Sequence, residues 1–287
     1  MKKIKLKHRK PGRSRGGDLG VYIILLLFGV MFAIPLVMQV CEAFKPLDEL
    51  YKFPKTIFVY NPTLSNFKDL FVIMGQSWVP FSRYIFNTVF ITAVGTAGQL
   101  LIASMGAYVL AKYDFPGSKK LFTMITTAMM FNGYVTAIPL YLVMAKCGWL
   151  DTFIAPILPA LASPMGLFLM KQFMEGIPDS LLEAAKIDGA KEWGIFTKIV
   201  MPNVKPAWLT LIIFSVQGLW NNPQSTYIFS EELKTLPYAL GQVTAGGVAR
   251  AGAGAAVGLF MMIVPIGIFI FSESNILETM ASSGIKE

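Results

Sequence analysis

The residues with the most informative types and spacing lie between 180 and 202, in a polar segment between long apolar stretches. Ser180 and Glu183 have the spacing of a capping box, in which the serine hydroxyl accepts an amide proton and the glutamate reaches back to the cap. Gly189 tolerates the left-handed backbone that often ends a helix. A second helical run should stop at or before Pro202. The pattern therefore predicts two short helices joined by a turn.

The spacing within this segment also fits a known signature. The EAA signature is Glu-Ala-Ala, three residues, glycine, nine residues, isoleucine, one residue and Leu-Pro. The positions that fit it in order are Glu183, Ala184, Ala185, Gly189, Ile199 and Pro202. Met201 stands where leucine is usual. The chain thus resembles the membrane subunits of binding-protein-dependent ATP-binding-cassette importers, and a match this long is specific.

In the family that the segment resembles, this loop is a cytoplasmic coupling helix that docks into a groove on a separate ATPase. We define the coupling segment as residues 176–205. The docking residues that the resemblance implies are Ser180, Glu183, Ala184, Ala185, Asp188, Gly189, Ile199 and Pro202. Trp193, set among balanced charges, is typical of a surface that binds a partner.

The resemblance extends from about Ala43 to Val243 and is close to the second membrane subunit of maltose-type oligosaccharide importers. Phrases at 138–141, 150–152 and 220–221 follow the family's order. It implies a type I importer permease fold, a second homologous permease subunit, two ATPase subunits and an extracytoplasmic sugar-binding protein as partners. It implies no cofactor on this chain, because ATP and Mg²⁺ belong to the ATPase. The implied cargo is a sugar or oligosaccharide; a peptide or an anionic polysaccharide fragment remains the alternative.

Residues that catalyse reactions are scarce in this sequence. His8 is its one histidine, and Cys41 and Cys147 are its two cysteines, too few for a disulfide framework. No Walker motif for binding nucleotide phosphates occurs. We therefore expect a transport subunit rather than an enzyme. A self-sufficient secondary transporter is a weaker alternative, because intramembrane charges and inverted repeats are absent from the sequence.

Several polar side chains near the apolar stretches could contact a transported solute. They are Asn132, Gln217, Trp220, Asn221 and Asn222. Amides form hydrogen bonds with sugar hydroxyl groups, and an indole ring stacks on the face of a sugar. Amides also join membrane helices to each other, and this explanation is equally good. The sequence leaves both roles open.

The composition shows which elements must position these residues. The chain is 54% hydrophobic and 15% charged, whereas soluble domains carry about 25% charged residues. Several apolar runs reach the roughly 20 residues that a helix needs to cross a bilayer. Most of the net charge of +8 lies in the first fifteen residues. A basic tail before the first span is typical of a cytoplasmic terminus, and we expect no nucleic-acid partner.

The predicted fold is an all-α integral membrane protein with six transmembrane helices and both termini in the cytoplasm. It would span the bacterial inner (cytoplasmic) membrane several times, in contact with the lipid bilayer. The predicted parts are a basic cytoplasmic tail (1–20), a first transmembrane helix (21–41), an extracytoplasmic segment (42–83), a core permease domain of five helices (84–271) and a cytoplasmic tail (272–287). The five core spans are predicted at 84–110, 121–143, 153–170, 207–227 and 255–271.

Small residues and prolines within these spans predict how the helices pack. Glycines leave room for close contact between membrane helices, and they occur at Gly95, Gly98, Gly106, Gly254 and Gly258. The fourth span should be broken by its prolines, which membrane helices tolerate where a neighbour or a cavity satisfies the freed backbone groups.

Overall fold

The computed structural model describes residues 15–131 and 133–283, without the side chains of 15–17, 134 and 274–283. Within these ranges every regular element is helical, which confirms the all-α class. Most of the predicted basic tail and Asn132 lie outside the described residues.

The helices follow one another in this order. They are α1 (Arg15–Phe44), α2 (Leu47–Leu50), α3 (Ser65–Gly75), α4 (Phe81–Lys112), α5 (Ser118–Ala128), α6 (Gly133–Lys146), α7 (Ile154–Leu161), α8 (Pro164–Glu175), α9 (Asp179–Ile187), α10 (Glu192–Ile195), α11 (Met201–Asn203), α12 (Lys205–Trp220), α13 (Leu236–Thr244) and α14 (Ala251–Ser283). A π-helical turn (Phe196–Val200) joins α10 to α11, and 3₁₀ turns cover Glu231–Leu233 and Gly247–Arg250.

Four stretches of the described chain are long and apolar enough to cross a membrane, which makes this a multi-pass membrane protein. They are Asp18–Phe44, Phe81–Lys112, Ile154–Glu175 and Gly247–Glu273. A fifth candidate is the pair Glu192–Asn203 and Lys205–Trp220, which is bent by 81°.

The predicted third span, 121–143, is two helices rather than one. Helix α5 ends at Ala128, and 3₁₀-type bonds, such as that from the Met130 amide to the Thr127 carbonyl at 3.0 Å, close its last turn. Helix α6 starts at Gly133. The hydroxyl of Thr126 already binds the Phe122 carbonyl at 3.0 Å, and such back-bonding to the preceding turn weakens a helix.

Two other predicted boundaries differ from the structure. The fifth span, predicted to reach residue 227, stops as a helix at Trp220, because Pro223 offers no amide proton and restricts the residue before it. Helix α14 continues beyond residue 271 to Ser283, so the predicted C-terminal tail is helical over most of its length.

The fourth span is broken as its prolines predicted. Helix α7 ends at Leu161, and α8 begins at Pro164 after an extended residue, Ser163. The Ser163 hydroxyl accepts the Gly166 amide at 3.0 Å and caps α8. A proline in the first turn of a helix costs no hydrogen bond, so α8 begins at Pro164 without losing a backbone bond.

Helix α4 is the centre of the bundle and packs against α7, α8, α12 and α13. A Cβ atom at Gly95 would lie 2.7 Å from Leu219 Cδ1 of α12, so the absence of a side chain lets these helices approach. Helix α1 packs on α14, where Gln39 Nε2 donates to the Ala255 carbonyl at 3.1 Å. Most of its remaining surface is exposed.

The segment between α2 and α3 is held by the carboxylate of Glu49. It accepts the Tyr60 amide at 3.1 Å, and the Asn61 amide and side-chain Nδ2 at 2.9 Å each. Burial raises the pKa of Glu49, but these hydrogen bonds outweigh it, and the pKa lies below its usual value.

Candidate coupling surface and transport cleft

The first helix of the coupling segment starts two residues earlier than the sequence predicted, because its N-cap is residue 178 rather than 180. Pro178 is the N-cap of α9, with extended backbone and no side-chain cap bond. Ser180 therefore already lies in the first turn, and its hydroxyl is not at the cap. The predicted capping box of Ser180 and Glu183 is wrong, because Pro178 and not Ser180 precedes the first helical residue.

A lysine from α4 anchors the start of α9. Lys112 Nζ donates to the Ile177 carbonyl at 2.5 Å and to Asp179 Oδ1 at 2.7 Å. Its side chain is 6% exposed, whereas that of Asp179 is 78% exposed. The ammonium group thus joins the inner end of the central helix to the coupling segment.

The turn between the two short helices is built on Gly189, as the sequence predicted. Gly189 has φ of 80°, and its amide donates to the Lys186 carbonyl at 3.0 Å. The Ala190 amide donates to the Ala185 carbonyl at 3.0 Å. This pair of bonds is a Schellman motif, which requires a left-handed residue that glycine adopts without strain.

The second helical run continues past Pro202 to Asn203, so the prediction that it ends at or before the proline is wrong. The π turn at Phe196–Val200 widens the helix just before Pro202, where a proline would otherwise clash with a carbonyl one turn back. Asn203 Nδ2 donates to the Ile199 carbonyl at 2.7 Å. The chain then bends by 81° at the buried Val204 into α12.

One face of the coupling segment is packed firmly against the bundle. Its buried side chains are Leu182, Ala185, Ile195, Phe196 and Val200, and they contact Ala107 and Tyr108 of α4 and Met170 and Met174 of α8. Full burial of each large aliphatic side chain stabilises by about 1.5–3 kcal/mol. These contacts attach the segment to the ends of α4 and α8.

Polar contacts join the two halves of the coupling segment to each other and to α4. Glu192 accepts the Tyr108 hydroxyl at 3.1 Å and pairs with Lys186 Nζ at 2.8 Å. The hydrogen bond to Glu192 raises the pKa of Lys186 above its usual value, although partial desolvation opposes this.

The opposite face of the segment is exposed and partly apolar. Ile187 is 86% exposed and Trp193 60% exposed, and Leu181 is also exposed. Of the predicted docking residues, Ser180, Glu183, Ala184, Asp188, Gly189 and Pro202 are exposed, Ile199 is half-buried and Ala185 is buried. Large exposed apolar side chains among charges are typical of an interaction site.

A second site is an open cleft of about 520 Å³. Its wall is formed by α7, the start of α8, α12 and the segment after it, with one side chain from α4. Its polar lining residues are Gln99, Ser163, Ser215, Asn222, Gln224 and Tyr227. The break between α7 and α8 opens onto this cleft.

The cleft contains one of the predicted pathway residues, Asn222, whose Oδ1 accepts the Gln224 amide at 2.9 Å. Gln217 and Asn221 are exposed but do not line it. Trp220 is buried between helices, and its Nε1 donates to the Met261 carbonyl at 3.2 Å, so its role here is packing. The predicted pathway residue Asn132 lies outside the described residues.

Three lining residues were not among the predicted pathway residues: Gln99, Gln224 and Tyr227. Gln99 could have been identified from the sequence, because an amide near the middle of a membrane helix is energetically costly unless it faces a polar partner or a water-filled cavity. Gln224 carried the same signal, because it lies within the predicted fifth span, 207–227. Tyr227, at the end of that span, carried none.

Comparison with known proteins places this geometry in context. Residues 98–278 match the family described as "Binding-protein-dependent transport system inner membrane component". An arabinooligosaccharides transport system permease protein of Halalkalibacterium halodurans is 33% identical, over 88% of this chain and 90% of that protein. A polygalacturonan/rhamnogalacturonan transport system permease protein of Bacillus subtilis is 31% identical, over 78% of this chain and 76% of that protein.

The fold also resembles a solved structure. A crystal structure of a bacterial ABC transporter involved in the import of the acidic polysaccharide alginate contains a chain that superimposes with a TM-score of 0.75. The superposition covers 92% of this chain and 99% of that one, at 21% sequence identity.

Proposed function

This chain belongs to the family of binding-protein-dependent transport system inner membrane components, and we propose from this how its two sites work together. The chain is a permease subunit of an ATP-binding-cassette importer and not itself an enzyme. Its cargo is an oligosaccharide, delivered by an extracytoplasmic binding protein. The partners are a second homologous permease subunit and two ATPase subunits, and ATP and Mg²⁺ are bound by the ATPase.

The coupling segment is the docking site for an ATPase subunit. The observation that carries this proposal is the contrast between its two faces: one is locked to α4 and α8, and the other exposes Ile187 and Trp193 to solvent. When the ATPase subunits close on ATP, a segment held in this way transmits their movement to α4, α8 and α12. The cleft then changes its access from one side of the membrane to the other.

The docking proposal is tested by replacing Ile187 with aspartate. Ile187→Asp should strip ATPase from the purified complex and uncouple ATP hydrolysis from transport, because it places a charge in the contact. The matched control is Val248→Asp on the 3₁₀ turn before α14, since Val248 is also an exposed aliphatic residue at 72%. Equal ATPase retention by both variants would contradict the proposal.

The membrane topology belongs to the same proposal. Helices α5 and α6 together make one broken span, which gives six spans. These spans cross the bacterial inner membrane, with both termini on its cytoplasmic side. The basic N-terminal residues support this orientation. In a cysteine-free background, Asp188→Cys should react with a membrane-impermeant maleimide only after permeabilisation, whereas Asn61→Cys should react in intact cells. The reverse pattern would place the coupling segment on the outer side of the membrane and would contradict the proposal.

The cargo is tested by uptake. The complete complex is placed in liposomes, with its binding protein outside and ATP inside, and is offered labelled arabinotriose, xylotriose, maltotriose and trigalacturonate separately. It should accumulate at least one of these oligosaccharides. A complex that hydrolyses ATP in response to its loaded binding protein but accumulates only peptides would show that the cargo is not a sugar.

A further inference from the structure

Two amide-bearing residues that are largely buried line the cleft. Gln99 is 8% exposed and Gln224 is 5% exposed, and both line the cleft. Neither side chain forms a hydrogen bond within the described part of the chain, where other buried amides, such as Asn66, do. Among the described residues, the side-chain atoms that are sealed off without a partner are Asn87 Oδ1 and Thr92 Oγ1. The amide groups of Gln99 and Gln224 instead remain open to the cleft, where a ligand can form hydrogen bonds with them.

The backbone of Gln224 is fixed by hydrogen bonds on both sides. Gln224 has φ of 55°, which is rare for a residue with a side chain. Its amide donates to Asn222 Oδ1 at 2.9 Å, and its carbonyl accepts the Tyr227 amide at 3.3 Å. The Asp151 amide in turn binds the Tyr227 carbonyl at 2.8 Å. Strained backbone that is fixed on several sides is typical of a binding site.

The cleft contains no charged side chain among its described lining residues. Besides the amides and hydroxyl groups, it presents the rings of Phe214 and Tyr227. The start of α8 adds a partial positive charge, but its Gly166 amide is already bound by the Ser163 hydroxyl. A carboxylate brought against this wall would lose hydration without gaining a cation from it, which is unfavourable.

We propose that this wall of the cleft is a subsite for an uncharged sugar residue, with Gln99 and Gln224 as the hydrogen-bonding residues. Each amide offers a donor and an acceptor, which matches neighbouring sugar hydroxyl groups, and the rings of Phe214 and Tyr227 pack on the sugar's apolar face. This inference rests on the proposed function and deepens it. The sugar residue that contacts this wall is neutral rather than a uronate.

The first test measures uptake by the complete complex in liposomes, with whichever neutral trisaccharide the wild type imports fastest among arabinotriose, xylotriose and maltotriose. Gln99→Met and Gln224→Met keep the side-chain volume but remove the amide. Each should lower the uptake rate at low cargo concentration about five- to tenfold, as expected for one lost buried hydrogen bond. The matched control, Gln242→Met, replaces an exposed glutamine of α13 away from the cleft and should stay within twofold.

The second test needs no variant and avoids the selectivity of the binding protein. The wild-type complex without binding protein is labelled with a photoreactive derivative of the same neutral trisaccharide. Label should enter peptides that contain Gln99 or Gln224, and the unmodified neutral trisaccharide should compete for it, whereas trigalacturonate should not.

The outcomes separate this inference from the proposed function. Wild-type uptake by both methionine variants, or equal competition by trigalacturonate, overturns the neutral subsite and leaves the importer assignment intact. If a variant fails to copurify with the ATPase, the labelling experiment decides alone. Failure of the assembled wild type to import any sugar would instead contradict the proposed function.

Discussion

The side chain of Lys112 should control how firmly the coupling segment is attached to the bundle. Its ammonium group is buried and joins α4 to the start of α9. It binds the carbonyl of Ile177, just before α9, and the carboxylate of Asp179, the first residue of α9. Lys112→Met keeps most of the apolar stem but removes both bonds. The Ile177 carbonyl is then left without this partner in a buried position.

The size of the effect follows from the two contacts. A hydrogen bond that involves a charged group contributes about 1.5–3 kcal/mol. The bond to Asp179 adds little, because that carboxylate is 78% exposed and exposed ion pairs contribute about 0–1 kcal/mol. We expect a loss of about 2 kcal/mol in the free energy that holds α9 closed, which corresponds to roughly a thirtyfold change in the opening constant.

Hydrogen exchange of the α9 amides in the purified complex measures this constant. Lys112→Met should reduce the protection of α9 roughly thirtyfold, Asp179→Asn about twofold, and the exposed control Lys120→Met not at all. ATP hydrolysis should become less dependent on the loaded binding protein in the same order. If the α9 amides are equally protected from exchange in Lys112→Met and Lys120→Met, Lys112 does not anchor α9 and the reasoning is wrong.

Three further predictions concern other parts of the chain. Gly189→Ala should destabilise the coupling segment by about 1–2 kcal/mol because of its positive φ, seen as weaker ATPase retention, whereas Gly194→Ala, in a helical and open position, should not. Gly95→Val should lower the melting temperature of the purified complex by overpacking α4 against α12, at about 1–3 kcal/mol, whereas Gly29→Val, with nothing within 4 Å, should leave it unchanged. The pKa of Glu49 in the folded protein is lowered, so the contribution of its carboxylate to stability is complete above the unfolded pKa and is lost as the pH falls through the folded pKa. Protease cleavage between α2 and α3 should therefore increase on acidification. Glu49→Gln should remove most of this pH dependence.

The two sites depend on one another through shared helices. Helix α8 starts at the cleft with Ser163 and ends next to the coupling segment, where Met170 and Met174 are buried against it. Helix α12 begins at the 81° bend and ends where the lining residue Asn222 follows. Two helices therefore connect the coupling segment to the cleft, and under the proposed function they would transmit a displacement from one to the other.

The amino-acid sequence by itself determined the membrane class, the coupling segment and the turn at Gly189. Each of these rests on local properties: apolar length, a signature within 20 residues, and the freedom of glycine to adopt positive φ. The break in the fourth span was also predictable, because proline removes a backbone donor wherever the chain folds.

Only the tertiary structure decided which polar residues face the cleft. Trp220 and Asn222 are two positions apart, yet one is buried against α14 and the other lines the cleft, because the helix ends between them. The start of α9 was set partly by its neighbour in the sequence, Pro178, and partly by the ammonium group of Lys112, from a helix 65 residues away. A sequence pattern records which residues can cap, bind or pack, but contacts between distant helices determine which of them do.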